Sequence, residues 1–218
     1  MTTSPAGTTP RGQRAEAISR ALRLELVTIS WMTVEAIGAI AAGLTASSTL
    51  LLAFGIDSVI ELVSAGMLYR RLRLEATGAD TCRVEATEAR AGKVGGTLLF
   101  VLAAYVVATS AYKLLHRGGA GESYVGLAIA AVAAVGMPIL ARAKIRTADE
   151  IGSRALRADA METLTCGYMS WILLAGLGAN TLLRWWWLDG VGALVLVPFL
   201  IKEGREAFTG HCLCDHQG

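Results

Sequence analysis

The chain has 218 residues, of which 54% are hydrophobic and 17% charged, and its formal net charge is +2. Soluble domains run nearer a quarter charged, so this composition, with a mean hydropathy of +0.50, points to a polytopic membrane protein. So small a net charge, with no basic stripe interleaved with aromatics, argues against a nucleic-acid partner.

Taken in order, the chain opens on "MTTSPAGTTP", small, polar and proline-containing. Residues 1–20 read as a disordered tail, with no apolar run and small-residue cleavage site to mark a signal peptide. Six apolar segments follow, at 26–46, 49–69, 94–115, 124–141, 161–183 and 191–201. The first, second, third and fifth reach about the 20 residues that a bilayer core demands. The fourth is shorter and contains Pro138, and the last is extended by Trp185, Trp186 and Trp187, an interfacial aromatic belt. The predicted fold is therefore all-α, a single domain of six transmembrane helices over 21–205, with a short cytoplasmic tail at 206–218.

Orientation follows from Lys and Arg. Alternate connections and the two ends hold 17 of the 20 basic residues, and only Lys113, Arg117 and Arg184 fall on the other side. The positive-inside rule places both termini in the cytoplasm, in an inner or plasma membrane. On this reading 45–48 is a tight external hairpin, while two long cytoplasmic loops join the second span to the third and the fourth to the fifth. Gly38, Ala42, Gly43, Gly95, Gly96, Gly176 and Gly178 suit close helix approach.

The informative residues are acids in the spans. Asp57 and Glu61 lie four apart, hence on one helix face. Uncompensated, each costs roughly 2.5–3.5 kcal/mol at the bilayer centre. The fifth span opens with Asp159, Glu162 and Cys166, the last two again four apart. Antiparallel packing of the second and fifth spans sets Asp57 near Cys166 and Glu61 near Glu162. Three anions in hydrocarbon repel unless they are protonated or hold a cation, and a divalent ion meets that need. A span cysteine serves equally as a small packing residue, and single carboxylates can hydrogen-bond to neighbours such as Ser58 or Thr163. Asp159, near the cytoplasmic rim and beside Arg157, is open between a capping or ion-pair role and a role in the site. Glu35 could join the site, relay protons or bond to a neighbouring helix. Glu25, among Arg20 and Arg23, reads as a surface ion pair. In the tail, His211, Cys212, Cys214, Asp215 and His216 are soft ligands within six residues, open between metal contact and an unstructured end. The four cysteines form no disulfide framework.

"AAGLTASSTLLLAFGIDSVIELVSA" and "LRADAMETLTCGYMS" resemble the second and fifth membrane helices of the cation diffusion facilitator, or cation efflux, family. The resemblance runs from the first span to "DGVGALVLVPFLIKEGREAF". It implies a transport site of four ligands, two per helix, at Asp57, Glu61, Glu162 and Cys166, with Asp159 at the aspartate of the family's A-D-A motif. The familiar set is rich in His and Asp, whereas this one offers Asp, Glu, Glu and Cys. The family's C-terminal metal-binding domain has no counterpart, so the chain resembles a transmembrane-domain-only member, and a homodimer would form through the membrane helices or the tail.

The expected activity is efflux of a divalent transition-metal cation, Zn²⁺ first, in exchange for protons by alternating access. Zn²⁺ tolerates a mixed oxygen and sulfur shell, while a thiolate disfavours Mg²⁺ and Ca²⁺. The partners are the cation, the proton and membrane lipid, and no resident cofactor is called for. No nucleophile with a positioned base, phosphate loop or redox motif is present, and the three histidines lie outside the spans or at their ends, which argues against an enzyme. The alternative is a membrane-embedded metal-binding or regulatory protein without transport.

Overall fold

A computed structural model describes residues 10–77, 82–183 and 185–209. Among them the chain forms six helices and no strand: α1 Pro10–Ala46, α2 Thr49–Ala76, α3 Cys82–Leu115, α4 Tyr124–Ile151, α5 Arg154–Leu183 and α6 Leu188–Thr209. Side-chain capping sets several of the boundaries. Ser48 is extended, and its hydroxyl accepts from the Leu51 amide at 3.1 Å, starting α2. Ser123 does the same for Gly126 at the start of α4. Gly152 ends α4 with a φ of 68°, a left-handed conformation that glycine adopts without strain. Ser153 then caps α5 through the Leu156 amide.

α1 packs along α2, α4 along α5 and α3 along α6, while α2 also touches α3, α5 and α6. The main core runs through the middle of this bundle and includes Phe54, Leu50, Met137, Met169, Leu173 and Leu196. α3 and α6 approach backbone to backbone: a Cβ on Gly96 would lie 2.8 Å from the Gly204 carbonyl oxygen. Gly96 is thus required as expected, whereas Gly95 and Gly178 have ordinary room for a side chain.

α1 to α5 each contain a stretch long and apolar enough to cross a membrane. Large apolar side chains such as Val34, Ile37, Leu44, Val101 and Ile139 point outward from the bundle, as lipid-facing positions require. α6 falls outside that group. Its helix is longer than the expected 191–201, but Asp189 opens it and Lys202, Glu203, Arg205 and Glu206 crowd its last turns.

The helices overrun the expected spans, and three expectations change with them. α1 begins at Pro10, well inside the segment read as a disordered tail. Proline suits a first helical turn, and Ala17, Ile18 and Ala21 bury themselves against Leu68, Leu72, Ala148, Ile151 and Leu156 in a second core. The connection between the fourth and fifth spans is not a long loop, because α4 runs to Ile151 and only Gly152 and Ser153 intervene before α5. Most of the connection between the second and third is likewise helix, from the ends of α2 and α3. At 37 residues α1 is ~55 Å long, well beyond a ~30 Å hydrocarbon core. The apolar pattern marked only the part that faces hydrocarbon.

Candidate metal centre

The buried acids divide by whether a donor answers them. At the turn between α1 and α2, Asp189 accepts from the Thr49 amide at 2.9 Å, the Leu50 amide at 3.3 Å and the Ser48 hydroxyl. Lys113 pairs with it at 3.1 Å. This carboxylate therefore holds the start of α2 against the start of α6, and α2 and α6 run parallel from that point.

Nearer the opposite end of the helices, Lys144 of α4 is fully buried between Glu25 of α1, at 3.1 Å, and Asp159 of α5. Its third proton is directed at the Thr163 hydroxyl, 3.3 Å away. Glu25 is thus no surface ion pair, because its partner comes from α4 and not from the neighbouring arginines. Asp159 thus pairs with Lys144, while Arg157, its neighbour in the chain, pairs with Asp149 at 2.6 Å. In the middle of the bundle, Glu35 accepts from Trp31 at 2.6 Å, from Ser58 at 2.7 Å and from the Cys166 thiol at 3.5 Å. Of the roles open to Glu35, the bond to neighbouring helices is the one seen.

Three acids have no such answer. Asp57 and Glu61 of α2 are 1% and 8% exposed, and Glu203 of α6 is 7% exposed. Both oxygens of Asp57, both of Glu61 and Oε1 of Glu203 are buried with no hydrogen-bond partner. One carboxylate oxygen from each lies within 4.8 Å of the other two. At that separation and an effective dielectric of ~20, each ionised pair repels by about 3.5 kcal/mol, or about 10 kcal/mol for three. Buried charges are ordinarily paired or bound to metal, so this trio can be ionised together only around a cation. Three convergent carboxylate oxygens are a fitting donor set for a divalent ion.

The structure brings together only part of the expected four. Asp57 and Glu61 share the centre. Glu162 stands on the facing α5, half-buried, with its carboxylate accepting from Ser64 of α2 at 3.2 Å. Cys166 is fully buried, with its thiol directed at Glu35. His211, Cys212, Cys214 and His216 lie outside the described residues.

Glu203 was missed because it falls beyond the apolar run that ends at Ile201, in a segment dense with charge. A signal was nevertheless present: Ala193, Leu196, Leu200 and Glu203 follow helical spacing, and all four are buried. Asp189 was likewise missed, although an acid in the first turn of a helix is a common N-terminal feature.

The family model for the cation efflux transmembrane domain matches residues 26–209, a stretch that includes most of α1 and all of α2 to α6. No curated protein matches the chain.

Proposed function

The chain belongs to the cation efflux family, an integral-membrane family that carries cations across membranes, and from that premise we propose that it exports a divalent transition-metal ion in exchange for protons. Zn²⁺ is the first candidate substrate, since it accepts oxygen and sulfur ligands in one four-coordinate shell. Asp57 and Glu61 are the core of the binding site. The observation that carries this reading is the set of carboxylate oxygens buried side by side without a donor among them.

The chemistry follows from the repulsion. With no ion bound, the cluster is relieved by taking up protons. A divalent ion replaces them and releases them on loading. The same groups therefore bind either proton or metal, which is the exclusivity an exchanger needs. Glu162 and Cys166, held by Ser64 and Glu35 in this arrangement, complete the ligand set in a second access state, as α5 moves against α2. In this reading α6 crosses the membrane with the other five helices, and both termini face the cytoplasm, the side the metal leaves.

The test is flux in proteoliposomes that enclose a metal-sensitive dye. An imposed pH gradient should drive Zn²⁺ movement in the wild type, and Asp57→Ala or Glu61→Ala should abolish it. Undiminished flux in both variants would overturn the site. Zn²⁺ binding without any gradient-driven flux would instead identify a metal-binding protein that does not transport.

A further inference from the structure

We propose that Glu203 is a third ligand to the transported ion, delivered by α6 to the carboxylate pair of α2. The inference rests on the reading of Asp57 and Glu61 as cation ligands. It extends the site to a helix that neither the expected ligand set nor the paired spacing of α2 and α5 includes.

Three independent features support it. The first is the carboxylate itself: Glu203 is more than nine-tenths buried, its Oε1 has no donor, and it reaches the same 4.8 Å cluster as Asp57 and Glu61. An acid that were merely structural would be expected to resemble Glu25, Glu35, Asp159 or Asp189, each of which has at least one donor.

The second feature is register. Asp189 ties the start of α6 to the start of α2 through the Thr49 and Leu50 amides. From Asp189 to Glu203 is ~21 Å of helix, and from Thr49 to Glu61 ~18 Å. Parallel helices that share an origin thus bring the two carboxylates to one depth. The third feature lies in the residue after Glu203. Gly204 lies against Gly96 of α3, with the two backbones so close that a Cβ at position 204 would sit 3.2 Å from the Gly96 carbonyl oxygen. This contact seats α6 on α3 and leaves the Leu196, Leu200 and Glu203 stripe facing inward.

The ligand class follows from the donors. With Glu203 the ion is held by oxygen from two helices, and the thiol of Cys166 is not needed for this form of the site. Mn²⁺, which suits carboxylate ligands, should bind alongside Zn²⁺.

The experiment is calorimetric titration of the full chain in nanodiscs with Zn²⁺ and, separately, Mn²⁺. Glu203→Gln keeps the shape of the side chain and removes its charge. It should weaken binding of both ions by tenfold or more, with Glu203→Asp intermediate, while the metal-free protein melts no earlier than the wild type. A smaller loss in Glu203→Gln would overturn the proposal. Asp57→Asn separates the two levels of the argument. If it abolishes binding and Glu203→Gln does not, only the third ligand fails, whereas unaltered binding in Asp57→Asn removes the site itself. Should Glu203→Gln fail to fold, the wild type answers the question through a hydrophobic carbodiimide, read by peptide mass spectrometry. Saturating Zn²⁺ should protect Glu203 from modification, and equal modification with and without Zn²⁺ would overturn the assignment.

Discussion

Replacing Lys144 by Met should unfold the protein far more readily than its position in a polar stretch of sequence suggests. The ammonium is fully buried, 3.1 Å from Glu25 and in contact with Asp159, and it joins α1, α4 and α5 through one atom. At an effective dielectric of ~20 a contact of that length is worth roughly 5 kcal/mol of Coulomb attraction, most of it offset by desolvation of the charges. Removing the cation leaves that desolvation in place and takes the attraction away. Losing one partner of a buried pair typically costs about 3–5 kcal/mol, and here two carboxylates lose theirs. For a chain of this size that is a fall of about 6–20 °C in melting temperature, measurable by tryptophan fluorescence in detergent micelles. The companion variant replaces the whole group, Lys144→Met with Glu25→Gln and Asp159→Asn, and should recover most of the loss because no buried charge remains unpaired. The reasoning is refuted if Lys144→Met melts with the wild type, or if the triple variant is no more stable than the single one.

Further outcomes concern the site and its supports. Zn²⁺ at about 100 times its Kd should add ~2.7 kcal/mol to stability. Asp57→Asn and Glu61→Gln should lose that shift yet melt later than wild type without metal, since each removes an acid that has to take up a proton to stay buried when no ion is bound. Melting curves with and without Zn²⁺ read both effects. Gly96→Leu drives a side chain into the Gly204 carbonyl, 2.8 Å from the new Cβ, and should destabilise by about 1–3 kcal/mol. It should also weaken Zn²⁺ binding by displacing α6, and calorimetry on the folded fraction checks this. Asp189→Ala strips the acceptor from the Thr49 and Leu50 amides and the partner from Lys113, at a cost of roughly 2–3 kcal/mol. Faster hydrogen exchange confined to the first turn of α2 would identify that cause.

The amino-acid sequence by itself determined the apolar middle of each helix, though not its ends, and which faces carry acids. Long apolar runs demand internal backbone hydrogen bonding, and a spacing of four places Asp57 with Glu61 on one side of α2 whatever surrounds them. What only the tertiary structure decided is which acids have a partner. Glu25 sits among Arg20 and Arg23 in the chain, yet its cation is Lys144, brought across by the packing of α1 on α4. Glu203 stands among Lys202, Arg205 and Glu206, yet it continues the buried stripe of α6 and turns to Asp57 and Glu61. Cys166 keeps the spacing of a ligand and directs its thiol to Glu35. Helical periodicity is a local property and survives in the sequence. The pairing of buried charges depends on the rotation and register of helices distant along the chain, which close packing of the bundle sets.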